Sequence, residues 1–101
     1  MTADKKFSTT NIELETGKGY NFDITKTSGG EWQFRAPDFF NTIYVWMIVV
    51  NDLEIKAHMV DFLEFDGTGT IRINFTPTRT GVFKYWVPGN EATMTGTITV
   101  K

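Results

Sequence analysis

A chain of 101 residues with a net charge of −2 and no cysteine is bounded before any pattern is read. It is long enough for one hydrophobic core, so residues 8–101 are expected to form a single domain behind a flexible N-terminal segment, residues 1–7. The near-neutral charge gives no electrostatic case for nucleic acid or an anionic membrane, and the absent thiols exclude disulfides, thiolate nucleophiles, iron–sulfur clusters and thiolate-bound zinc.

Aromatic residues are abundant, with nine Phe, three Tyr and three Trp. β-Branched residues are abundant too, and no window keeps a helical period for three turns, so the expected class is all-β. No run approaches the roughly 18 to 20 apolar residues that a membrane-spanning helix needs.

In chain order, Ser8 to Leu14 places Ile12 and Leu14 on one face and predicts a first strand. After the turn Thr16-Gly17-Lys18-Gly19, Tyr20, Phe22 and Ile24 alternate with Asn21, Asp23 and Thr25, the period of a half-buried strand. Ser28-Gly29-Gly30 breaks it. Glu31 to Arg35 puts Trp32 and Phe34 on one face and ends at Ala36-Pro37. Pro37 to Asn41 is expected as a loop whose Phe39 and Phe40 either cap an open end of the core or form a partner-docking patch.

Thr42 to Val50 is the most apolar stretch and predicts a central strand. Simple alternation puts Ile43, Val45, Met47 and Val49 on one face, and Tyr44 and Trp46 on the other, where a loop or another protein should cover them. Asn51 to Ala57 is expected as a polar connector, and His58 to Phe65 as a further strand. Asp66-Gly67-Thr68-Gly69 signals a tight hairpin. Thr70 to Phe75 alternates cleanly, with Ile71, Ile73 and Phe75 facing inward. Gly81 to Val87 places Phe83, Tyr85 and Val87 on one face. Val87-Pro88-Gly89-Asn90 is a turn, with proline presetting the first central φ and glycine accepting a positive φ at the second. Thr95 to Val100 closes the chain as a strand. This makes about seven to eight strands at the spacing of a Greek-key β-sandwich.

The C-terminal stretch GVFKYWVPGNEATMTGTITV resembles the signature of the cupredoxins, the blue-copper β-sandwich family. Gly81, Phe83, Tyr85, Met94, Gly96, Ile98 and Val100 match its pattern. At the two ligand positions between them, Val87 stands where that family has cysteine and Asn90 where it has histidine. The resemblance implies a cupredoxin-like fold. It also implies an exported protein, periplasmic or secreted, whose signal segment does not precede Met1 here. Subunit II of quinol oxidases, which resembles a copper-bearing oxidase subunit without its metal ligands, is a precedent for this fold without copper.

A type 1 copper centre takes two imidazoles, a thiolate and a weak axial thioether. Valine offers no lone pair, and an amide is a poor copper ligand beside imidazole. The expectation is therefore a non-enzymatic module with no cofactor, acting as an accessory or interaction protein with a protein partner, in a metal-handling or respiratory setting. Two residues keep family positions, His58 (with Asn51 before it) and Met94. They are either remnants or part of a rewritten site in which His58, Met59 and Met94, with Met47 or Glu91, hold Cu(I) for carriage or electron transfer. Trp86 and Pro88, beside the turn where the family docks its partners, join Phe39 and Phe40 as docking candidates. Asp52, Glu54, Asp61, Glu64 and Asp66 read as a solvated acidic face.

Overall fold

Each large apolar side chain that alternates with a polar one has to find cover on one face of a sheet, and two facing sheets provide it. The computed structural model describes residues 1, 7, 9–28 and 30–101. Among these the strands are β1 (Asn11–Leu14), β2 (Tyr20–Lys26), β3 (Trp32–Phe34), β4 (Ile43–Val50), β5 (Leu53–Ile55), β6 (Leu63–Phe65), β7 (Gly69–Pro77), β8 (Gly81–Trp86) and β9 (Thr95–Val100), with one helical turn, α1 (Pro37–Phe40). One sheet runs β2-β7-β4-β5. The other runs β1-β9-β8, with β1 and β9 parallel. The β3-β6 pair extends this second sheet, because Arg35 and Trp86 exchange both backbone hydrogen bonds at 2.9 Å. No helix is long and apolar enough to cross a membrane.

The expected all-β, cupredoxin-like sandwich is thus the fold found. Its core joins Ile24, Val45, Ile48, Ile73 and Phe75 of one sheet to Phe34, Tyr85, Ile98 and Val100 of the other. Phe34 stacks on Tyr85 at 5.5 Å, and Phe39 meets Phe75 edge-on at 5.5 Å and Phe83 at 5.8 Å. Burying each such phenylalanine stabilises the fold by about 2 to 3 kcal/mol.

Three local expectations are corrected. The alternation assigned to β4 fails after Val45. Val45 pairs with Phe75 and Met47 with Asn74, so Trp46 is an extra residue in a β-bulge. The bulge reverses the parity of all that follows. Ile48 is buried in place of Met47 and Val49, which lie half-buried on the outer face. Second, the supposed connector after β4 contains β5, reached through a two-residue turn in which Asn51 takes a φ of 55°. Asparagine tolerates that left-handed conformation because its short polar side chain bonds locally. Third, Asp66 to Gly69 is no hairpin. β6 pairs with β3 in register Gln33↔Glu64, while β7 pairs with β2 and β4, so the chain changes sheets at this bend.

The N-terminal expectations fall mostly on residues outside the described ones, Ser8 among them. Of the rest, Met1 is buried and its amine donates to the Thr25 carbonyl at 2.9 Å, while Phe7 packs edge-on against Tyr85 at 5.0 Å.

Candidate functional site

The turn after β8 is built almost entirely from its own backbone. The Asn90 N–H donates to the Val87 carbonyl at 3.0 Å and closes the Pro88-Gly89 turn, with Gly89 at a φ of 87° as its second central residue requires. The Met94 N–H donates to the Asn90 carbonyl at 2.7 Å, and the Val87 N–H donates to the Met94 carbonyl at 3.1 Å. Glu91 accepts at its side chain from the Gly89 N–H, 3.1 Å, and at its carbonyl from the Thr95 hydroxyl, 2.7 Å. The loop from Val87 to Thr95 is therefore a self-satisfied cap over the end of the core.

Inside that cap, Val87 and Met94 are fully buried. Val87 continues the inward row of Phe83 and Tyr85, as its place in the alternation requires. Its isopropyl group fills the end of the core with hydrocarbon. Asn90 lies half-buried on the loop. Without a cysteine anywhere in the chain, the donors do not fit a type 1 copper centre.

His58 sits on a different element. The segment after β5 runs on beside β4, where the Val45 N–H donates to the His58 carbonyl at 3.3 Å. The imidazole is exposed, stacks on Tyr44 at 5.2 Å, and places Nδ1 3.4 Å from the Val45 carbonyl oxygen. That oxygen can only accept, so this contact requires a proton on Nδ1. Met59 follows with its side chain 68% exposed, and the Lys56 ammonium lies 3.2 Å from the Met47 sulfur. His58 and Met59 thus share the β4–β5 edge, while Met94 belongs to the interior beneath the turn. Among the described residues, no three His, Asp or Glu side chains gather to hold a metal ion.

The docking candidates separate in the same way. Phe39 and Phe40 are wholly buried, because Pro37 starts a helical turn that rolls both rings onto Phe75, Phe83 and Phe34. They cap the core and offer no docking surface. Trp86 is half-buried, its backbone tied to Arg35, and Pro88 is exposed at the tip of the turn.

Pro88 also borders a cleft of about 250 Å³ lined by Glu31, Trp32, Gln33 and Glu64. Its floor is ordered by a short polar relay, with Arg35 Nε donating to Gln33 Oε1 at 3.0 Å and Gln33 Nε2 to Glu64 Oε1 at 3.4 Å. This cleft escaped the sequence reading, because the pairing of Gln33 with Glu64 depends on a strand register that neither segment announces. The half-exposed apolar face of β4 was legible: Tyr44 and Trp46 remain 48% and 44% exposed.

The signature residues have structural work. Tyr85 lies opposite Gly96 in the β8–β9 ladder, and a Cβ on Gly96 would collide with the Tyr85 ring. The Tyr85 hydroxyl donates to the Thr9 carbonyl at 2.5 Å, and burial pushes its pKa up to about 12.

No protein-family model and no curated protein sequence matches the chain. Among solved structures, the fold is similar to part of a multicopper oxidase from Campylobacter jejuni, described as a metallo-oxidase, with a TM-score of 0.67 and 14% identity. The match covers 93% of this chain and 21% of that one, so the chain spans about a fifth of the oxidase's length.

Proposed function

We propose that this chain is a cupredoxin-like module without a type 1 copper site, which works by binding another protein and not as an enzyme. Its setting is an accessory role in a periplasmic metal-handling or respiratory system. The observation that carries the reading is the enclosed hydrocarbon of Val87 under a loop whose backbone groups satisfy one another. A fold whose metal end is filled in this way retains its surfaces as the means of action. The half-exposed Tyr44 and Trp46 are large amphipathic side chains of the kind enriched in protein interfaces. What supports a metal-handling setting is the likeness of the fold to part of a metallo-oxidase.

The competing reading is an atypical copper-binding protein, a Cu(I) carrier or electron-transfer protein; of the expected donors His58, Met59 and Met94, the exposed His58 and Met59 share an edge while Met94 is buried beneath the turn. One observation favours a metal at His58: the exposed imidazole is followed directly in the chain by the exposed Met59 thioether, a donor pair that suits Cu(I). Titration of the purified protein with Cu(II), and with Cu(I) under reducing conditions, separates the readings. The accessory module shows no intense visible band and no stoichiometric tight binding. Tight one-to-one copper lost in both His58→Ala and Met94→Leu overturns it. Loss in His58→Ala alone also overturns it and makes Met59 the second ligand.

A further inference from the structure

β5 is an edge strand with an open side. It ends the β2-β7-β4-β5 sheet, and among the described residues no other strand pairs with it. The opposite edge is guarded, because Met1 both donates to Thr25 and accepts from the Thr27 N–H at 3.2 Å along β2. Among the described residues β5 has no such cover, and it has no proline and no bulge of its own; what blunts it is its three-residue length and the charges of Glu54 and Lys56. Its apolar side chains are among the most exposed in the protein, with Leu53 at 69% and Ile55 at 49%.

The backbone of this edge restricts what can pair with it. The turn closes on the pair Val50–Leu53, which in a two-residue hairpin exchanges both hydrogen bonds. Alternation then directs the N–H and C=O of Leu53 and Ile55 toward β4 and those of Glu54 toward solvent, and the same period carried one residue past the strand turns those of Lys56 outward as well. A second copy arriving antiparallel must therefore place outward residues opposite outward residues. The registers that do so are centred on Glu54, Ile55 or Lys56. Centring on Glu54 or on Lys56 sets a charge against its own copy. Centring on Ile55 sets Glu54 against Lys56 and Lys56 against Glu54, with Ile55 against Ile55 and Leu53 against Ala57 on the other face. The sequence Leu53-Glu54-Ile55-Lys56-Ala57 is thus self-complementary in charge, in apolarity and in hydrogen-bonding parity in one register alone.

We infer that β5 is a self-association edge, through which two copies of this chain join antiparallel about Ile55 into a continuous eight-stranded sheet. The contact is short, so the dimer is weak and forms with rising concentration. Its two-fold symmetry makes each charge pair count twice. The inference stands apart from whether the protein binds copper.

The experiment is sedimentation equilibrium from micromolar to millimolar protein, with amide exchange of Glu54 and Lys56 followed in parallel. A monomer–dimer equilibrium is expected, with protection of those two amides increasing with concentration. E54K alone and K56E alone each set like charges opposite one another twice and should weaken the dimer about tenfold or more. The double swap E54K/K56E restores it. So does mixing the two single variants, since one then offers two lysines and the other two glutamates, and this rescue holds only for correctly folded chains. A monomer at millimolar concentration, including one whose β5 serves another protein, overturns the inference. So does a dimer that E54K leaves unchanged or that the double swap fails to restore.

Discussion

The two ends of this sandwich handle their unpaired groups in opposite ways. At the β8–β9 end, every feature closes inward: Val87 and Met94 are buried, Tyr85 lies over Gly96, and the loop between the strands bonds to itself. At the β4–β5 edge, features open outward: Tyr44, Trp46, Leu53, Ile55, His58 and Met59 all reach solvent. The residues that carry the resemblance to a copper family lie in the closed end, where they act by packing. The surface with free bonding capacity lies where no motif was visible. A sequence signature can therefore be kept by what it does for two paired strands, independently of any metal. If this contrast is right, substitutions in the closed end cost stability, and substitutions at the open edge cost association.

The largest expected effect is Gly96→Ala. The added methyl has no room beside the Tyr85 ring, and the ring is pinned between Phe34, Phe7 and its bond to Thr9. Overpacking of this kind should cost about 3 kcal/mol, read as a lowered urea midpoint. The same substitution in a Tyr85→Ala background should cost far less, since the double-mutant cycle isolates the clash from the propensity of alanine. A Gly96→Ala protein as stable as the parent would break the contrast outright, because the closed end would then have space to spare.

Tyr85→Phe tests the same end more gently. Loss of the hydroxyl's bond to Thr9 should cost about 1 kcal/mol at neutral pH. The pH dependence is more telling. Burial raises the Tyr85 pKa from 10.0 to about 12 in the folded protein, so the neutral phenol is favoured by folding. Above pH 10 the unfolded chain releases this proton and the folded chain retains it. The unfolded state then binds fewer protons, and stability falls as pH rises from 10 to about 12. In Tyr85→Phe that decline should be shallower, as measured by urea denaturation at several alkaline pH values. An equal decline in both proteins would mean that the phenol is hydrated and that the closed end is wetter than its packing implies.

These predictions also mark how far the sequence could lead. Period-two alternation was legible in β2, β7 and β8, because none of the three carries an extra residue of its own and each keeps one face toward the core. That regularity placed Phe83, Tyr85 and Val87 inward without any fold in hand. The same rule failed in β4, where the extra residue Trp46 shifts the register against β7, a feature of strand pairing that apolar alternation does not announce. It failed at β5 because Asn51-Asp52 lacks the Asn-Gly pattern that marks a tight turn. The Asp66-Gly67 signal was present and misled, since such a pair permits a hairpin without deciding whether the next strand stays in the same sheet. The place of His58 followed from these misses. Its alignment with Val45 exists only because β5 folds back along β4.

The smallest expected effect is the sharpest test of the open edge. Leu53→Ser removes an apolar side chain that is 69% exposed. Little burial is lost in the monomer, so stability in dilute solution should change by less than about 0.5 kcal/mol. The N–H and C=O of residue 53 still pair with Val50, so the hairpin keeps its closing bonds. Dilute and concentrated solutions should then differ: the parent melts higher when concentrated, and Leu53→Ser loses part of that gain, because mass action stabilises whatever binds only the folded state. A cost of about 2 kcal/mol in dilute solution would have the magnitude of a core truncation. Leu53 would then be holding the fold, and β5 would have to be counted with the closed end of the molecule.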